Sequence, residues 1–175
     1  MKVLVTGGVR SGKSRHAEDL LVGYDAVTYV APGPTLDEDD DPDWAARIRA
    51  HQARRSATWA TLETRDLALA LAMDGPVLVD CLGTWLTAVL DEAGLWDASS
   101  DVVHAHVERH LAAAVAALSG AEGPVVLVTN EVGLGVIPEH RSGRLFRDLL
   151  GLVNQRVATA CDEVHLVVAG RIMVL

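Results

Sequence analysis

Gly7-Gly-Val-Arg-Ser-Gly12-Lys13-Ser14 follows a short apolar run, Val3 to Val5, and precedes a run of helix formers, Arg15 to Leu21. Glycines at Gly7, Gly8 and Gly12 let backbone N–H groups close on phosphate oxygens, where a Cβ would obstruct them. A helix that starts at Lys13 aims its positive end at the same anion. In a loop spelled this way the lysine neutralises the β- and γ-phosphates, and the serine hydroxyl meets Mg²⁺. Residues Val9, Arg10 and Ser11 complete the cradle, so the whole stretch from Gly7 to Ser14 is expected to hold a nucleotide, with Lys13 catalytic.

Two further places could complete such a site. Asp80 ends a Pro-Val-Leu-Val run, the setting of a carboxylate that shares Mg²⁺ with the loop serine. An aspartate at a strand end can equally cap the next helix. Within Trp44 to Arg55, residues Arg47, His51 and Arg54 stand at i, i+4 and i+7, so one helical face carries a histidine between guanidiniums. A neutral imidazole, with an ordinary pKa of about 6.5, can attack phosphorus while arginines stabilise the charge that develops.

Other spellings are weaker. Asp80-Cys-Leu-Gly83 fits the D-x-x-G of GTPase switches, but Thr129-Asn-Glu-Val132 is no guanine reader. His106 and His110 lack the glutamate placement of a zinc protease helix. The acidic stretch Asp37 to Asp41 lacks the glycine of a calcium loop and is expected to be a solvated loop.

A nucleotide site of this kind sits at the carboxyl edge of a parallel sheet. Besides the first run, Ala26 to Ala31, Pro76 to Val79, Pro124 to Val128 and Val164 to Ala169 are almost continuously apolar, as parallel strands covered on both faces are. That makes five strands, the last ending at Gly170. Helical patterns lie between them, giving an α/β, doubly wound, mostly parallel sheet with helices on both faces. Ser142 to Thr159 carries the stripe Leu145, Leu149, Leu152, Val153 and Val157, and Asp101 to Leu118 carries Val103, Val107, Leu111, Val115 and Leu118.

Half of the 175 residues are hydrophobic but only 4% aromatic, which suits a Val/Leu sheet interior in one domain spanning 1–175. The net charge of −9 argues against a nucleic-acid partner. Basic residues instead gather at Arg10 to Arg15, Arg47 to Arg55 and Arg141 to Arg147, which fits a small polyanion. Cys81 and Cys161 are read as reduced thiols in a cytoplasmic protein. The N-terminal apolar run is too short for a signal peptide, and no run reaches the roughly 18 residues of a membrane span.

Several segments in order now carry a likeness: Gly7 to Glu18, Val27-Thr-Tyr-Val-Ala31, Ala45-Ala-Arg-Ile48 with His51 and Arg54-Arg55, and Trp59 with Thr61 and Glu63. Val128 to Gly133, Phe146-Arg-Asp148, Val153-Asn-Gln155 and Ala160 to Val164 continue it. Over nearly its whole length the chain resembles the bifunctional adenosylcobinamide kinase / adenosylcobinamide-phosphate guanylyltransferase family of cobalamin biosynthesis. The resemblance implies a RecA-like P-loop fold and two reactions. A nucleoside triphosphate, GTP or ATP, would phosphorylate the aminopropanol hydroxyl of adenosylcobinamide. GMP would then pass from GTP, through a covalent GMP-histidine at His51, to give adenosylcobinamide-GDP. It also implies nucleotide contacts at Gln52, Ala53, Arg54, Arg55 and Glu63, and a homo-oligomer, typically a trimer. Pro32, Ser56, Ala88 and the stretch Glu139 to Gly143 depart from the family's usual spelling.

Overall fold

The computed structural model describes residues 1–38 and 40–175. Among these, β1 (Lys2–Gly7), β2 (Thr28–Ala31), β4 (Val77–Asp80), β5 (Val125–Val128) and β6 (Glu163–Val168) are the five apolar runs, now paired. Two strands join them that the five runs do not include, β3 (Ala60–Glu63) and the short apolar β7 (Arg171–Val174). The sheet order is β3-β2-β4-β5-β1-β6-β7, parallel throughout except for the antiparallel β6–β7 pair. The expected end of the last strand at Gly170 is therefore corrected. Ala169 and Gly170, with φ of 48° and 75°, turn the chain back into β7.

Both added strands lie at sheet edges. β3 has only Leu62 partly covered, and β7 is exposed along its length. β3 needs no apolar run, because its faces at the sheet edge are left largely uncovered.

The helices are α1 (Lys13–Asp19), α2 (Pro42–Arg54), α3 (Leu67–Leu71), α4 (Leu82–Ala93), α5 (Ser100–Gly120) and α6 (Arg141–Ala158). Side chains alternate across each strand, so two cores form. On one face Leu4, Val30, Val77, Val79, Val125 and Leu127 pack under α3 to α6 around the fully buried Trp85. On the other, Val3, Val5, Tyr29, Leu78, Val126 and Val128 pack with Ala17 and Leu21 of the α1 segment. Each of two stripes differs from expectation at one residue. Leu150 is buried rather than Leu152, and Ala114 rather than Val115. At 100° per residue, Leu150 and Leu152 lie at opposite margins of their stripe, and packing selects one.

α2 differs from the other helices. It starts at a sequence signature, Asp41 accepting from the Asp43 amide at 2.9 Å with Pro42 at the first position. It buries no residue. The acidic stretch before it is more organised than a solvated loop: Glu38 holds the Arg65 guanidinium at 2.7 Å and the Thr35 amide at 2.9 Å. Asp39 lies outside the described residues. No carboxylate cluster suited to a metal occurs among the described residues, and none of their helices is long and apolar enough to cross a membrane.

Candidate functional site

The phosphate loop is held in place by backbone bonds from three sides. The Gly170 amide donates to the Ser11 carbonyl at 2.8 Å, Glu131 N–H to Gly7 at 3.1 Å, and Ser11 N–H to Gly8 at 3.3 Å. Gly7 must be glycine: a Cβ there would lie 2.4 Å from the Val167 carbonyl oxygen. Gly12 takes φ 99° as the residue before α1, and Arg10 takes φ 56°. Such left-handed steps turn successive N–H groups toward one point. Among the described residues the amides of Val9, Arg10, Gly12, Lys13 and Ser14 donate to nothing. The Ser11 Oγ is also buried without a partner. A loop this firmly bonded through its carbonyls, with its donors unspent, has the arrangement that suits an anion.

Lys13 is 9% exposed and donates from Nζ to the Gly8 carbonyl at 3.2 Å. Burial lowers its pKa; the neighbouring Cys81 and Asp80 pull it back up, and Arg47 lowers it further. The loop, the end of β4 and the face of α2 thus share one electrostatic neighbourhood. Sheet register explains this. Asp80 is level with Val128, which is level with Val5, so β5 alone separates the carboxylate's strand from the loop's, about 10 Å apart at strand spacing.

Asp80 is not a helix cap. Cys81 is the residue before α4, and the Thr84 Oγ1 accepts from its amide at 3.3 Å. Asp80 Oδ2 instead accepts from the Tyr29 hydroxyl at 3.2 Å and lies 3.5 Å from His51 Nδ1. Its Oδ1 makes no hydrogen bond among the described residues. Burial pushes the Tyr29 hydroxyl well up, with Asp80 adding to the shift, so Tyr29 remains a donor.

His51 stands where α2 crosses this carboxylate. Burial lowers its pKa first of all, Asp80 raises it, Arg54 lowers it, Glu18 raises it and Arg55 lowers it. The lowered pKa favours the neutral ring, and a neutral ring meets Asp80 as a dipole facing a carboxylate. Nδ1 also lies 3.4 Å from Arg54 Nη2. The two neighbours favour opposite tautomers. With N–H at Nδ1 facing Asp80, Nε2 keeps the free electron pair a nucleophile needs.

The three arginines divide their roles. Arg54 is committed to the buried Glu18, through Nε at 3.3 Å and Nη2 at 3.2 Å. Arg55 lies 3.5 Å over the Tyr29 ring and bonds the Thr61 Oγ1 at 3.0 Å and the His51 carbonyl at 3.2 Å. Arg47 is exposed and makes no hydrogen bond or ion pair among the described residues, while its charge reaches Lys13. Gln52 and Ala53 are exposed on α2, and Glu63 is exposed at the end of β3, level with Ala31; none of these three is brought against the loop by a contact. Glu18 and Tyr29 were missed as site residues in the sequence. A glutamate beside Ala17 on the inward face of a short helix, and a tyrosine inside a valine strand, were the available signals. His106 and His110 stack with ring centroids 4.8 Å apart on α5, away from this site.

A family model described as cobinamide kinase / cobinamide phosphate guanyltransferase matches residues 3–175. The chain is 42% identical to the bifunctional adenosylcobalamin biosynthesis protein CobU of Salmonella typhimurium, over 97% of each chain. It is 39% identical to the protein of the same name in Escherichia coli, again over 97% of each. With bifunctional adenosylcobalamin biosynthesis protein CobP of Pseudomonas aeruginosa it shares 39% over 97% of this chain and 94% of that one.

Proposed function

The chain belongs to the cobinamide kinase / cobinamide phosphate guanyltransferase family, and we propose that it runs both reactions at one composite site, with the phosphate loop serving the first and His51 the second. In the kinase step the cobinamide hydroxyl attacks the γ-phosphorus of GTP or ATP. The P–O bond to the nucleoside diphosphate breaks, and the hydroxyl proton passes to solvent. Lys13 and the unspent loop amides stabilise the charge that spreads over the phosphoryl oxygens.

In the second step Nε2 of His51 attacks the α-phosphorus of GTP. A P–N bond forms as the bond to pyrophosphate breaks. A phosphate oxygen of cobinamide phosphate then displaces the histidine, giving cobinamide-GDP and the free imidazole. A neutral nucleophile avoids meeting a phosphate anion with another anion in the first half of this exchange. Asp80 holds Nδ1–H and steadies the imidazolium-like charge. Arg47 is the guanidinium free to meet the departing pyrophosphate.

The Ser14 hydroxyl and Asp80 Oδ1 suit a hard cation, which takes oxygen ligands and keeps phosphate oxygens in its shell; neither oxygen has a protein partner among the described residues. Mg²⁺ held there would supply positive charge to the phosphates.

The observation that carries this reading is the 3.5 Å approach of His51 Nδ1 to Asp80 Oδ2. Mass spectrometry after exposure to GTP tests it. Wild type should gain one GMP that is acid-labile and alkali-stable, as a phosphoramidate is. His51→Asn should gain none, yet still phosphorylate cobinamide. An adduct that persists in His51→Asn, or maps to Lys13, overturns the assignment. Homo-oligomers, as trimers, are part of the same reading, and light scattering should then give three times the 18.6 kDa chain mass.

A further inference from the structure

Beside the site runs a cleft of about 230 Å³ whose walls include Pro34, Trp44, Thr84, Thr87, Asn130 and Phe146. Four of these walls come from elements that also serve the phosphate chemistry, while Pro34 lies in the loop after β2 and Phe146 on α6. Trp44 is on α2, the helix of His51. Thr84 and Thr87 are in the first turns of α4, just after Asp80. Asn130 follows β5, the strand between Asp80 and the loop.

The walls are fixed: Thr84 Oγ1 is spent on the Cys81 backbone, and polar capacity is left at Asn130 and Thr87. Trp44 Nε1 donates to the Pro34 carbonyl at 3.0 Å, which sets the indole face. The Asn130 carbonyl accepts from Asn154 Nδ2 at 3.1 Å, and Asn154 in turn accepts from the buried Thr129 hydroxyl at 2.6 Å. Asn130's own amide makes only a 3.9 Å contact with Cys81 Sγ. The Thr87 hydroxyl donates to the Gly83 carbonyl at 3.2 Å, so its oxygen can still accept. Gly83 keeps the floor open, since a Cβ there would lie 2.9 Å from Asn130 Nδ2.

The space is smaller than the roughly 300–1,000 Å³ of pockets that enclose a whole drug-sized ligand. A macrocycle cannot enter it. A short aliphatic arm carrying an amide and a hydroxyl can, with its methyl and methylene carbons against two aromatic rings. Trp44 and His51 are seven residues apart on α2, about 10 Å along the helix axis, so an occupant lies beside the phosphate site rather than on the nucleophile.

We infer that this cleft is the acceptor subsite: it takes the aminopropanol arm of cobinamide, leaves the corrin ring outside, and reads the arm's amide through Asn130. The inference rests on the kinase reading given above. The test is steady-state phosphorylation of cobinamide by Asn130→Ala, Thr87→Val and Phe146→Ala, alongside GMP labelling from GTP with no corrinoid present. Removing contacts made equally in ground and transition states should raise the cobinamide KM roughly tenfold in Asn130→Ala and Phe146→Ala, with kcat near wild type. Thr87→Val should give a smaller rise. The KM for nucleotide and the extent of GMP labelling should stay within about twofold, the labelling doubling as proof of an intact fold. Should Phe146→Ala fail to label, Phe146→Leu replaces it.

Cobinamide KM values unchanged in label-competent variants overturn the subsite. So does a nucleotide KM that rises as far as the cobinamide KM, which would assign the cleft to the nucleotide. A wild-type chain that phosphorylates cobinamide but takes no label breaks the reading of His51 alone, and the cobinamide KM still decides the cleft.

Discussion

The phosphate loop and α2 supply the two halves of one site by opposite means. The loop is built into the sheet: its carbonyls are bonded to Gly170, Glu131 and Ser11, and Gly7 is pressed against the β6 backbone. α2 contributes no buried residue and is tied down by side chains alone, Arg54 to Glu18, Arg55 to Tyr29 and Thr61, and Trp44 to Pro34. A rigid cradle fixes where phosphate sits. A tethered helix can adjust a nucleophile to it, because elements with few buried apolar contacts open at low free-energy cost.

The largest effect expected from that division is at the loop's lysine. Lys13→Ala should lower the turnover of cobinamide phosphorylation about a thousandfold or more, since phosphoryl transfer depends almost wholly on positioning and charge. A folded Lys13→Ala protein with near wild-type turnover would show that the cradle is not the kinase site.

Asp80→Asn probes the seam between the two halves. Kinase turnover should fall roughly ten- to a hundredfold and the Mg²⁺ requirement should rise. It should also move the pH profile of GMP labelling. The reactive imidazole is the neutral form, and burial lowers the His51 pKa below the ordinary value. Labelling should therefore persist below about pH 6.5 and be lost only as pH falls through the lowered pKa. Asp80 raises that pKa, so its neutralisation should carry the acid limb to still lower pH. An acid limb at or above the ordinary histidine value, or one indifferent to Asp80→Asn, contradicts the contact.

Stability separates the halves more quietly. Gly7→Ala forces a Cβ against a backbone oxygen that cannot retreat without disturbing β6, at a cost of about 2–3 kcal/mol in urea unfolding. Glu18→Gln loosens α2 but leaves a hydrogen-bond acceptor in place, so it should cost about 1 kcal/mol, less than leaving a buried charge with no partner at all. Its signature is kinetic: GMP labelling slows roughly tenfold through misplacement of His51, while kinase turnover holds. Equal losses of stability in the two variants would erase the distinction between built-in and tethered.

Much of this was legible before any coordinates, for physical reasons that differ by element. The loop is local, so its spelling and flanks suffice. The Arg47/His51/Arg54 face follows from helical spacing, and Asp80 from its place at the end of an apolar run. What escaped was decided across the chain. β3 is an edge strand without an apolar signature, and β7 is an apolar run too close behind β6 to be told from its continuation until Ala169 and Gly170 are seen to turn the chain. Glu18 and Tyr29 matter because Arg54 and Asp80 lie opposite them, which no spacing within α1 or β2 discloses. Gln52 and Ala53 share α2 with His51 and are exposed.

The bare apolar account of α2 has a calorimetric consequence. Reseating a helix that buries no apolar side chain changes little hydrocarbon hydration, and heat-capacity change tracks apolar area. GTP binding that shifts α2 should therefore be almost silent in heat capacity. Its tethers are charged and partly exposed, with the Arg54 side chain 34% accessible, so dissolved salt screens them. Ionic strength, rather than temperature, is then the variable that sets how firmly the nucleophile is seated.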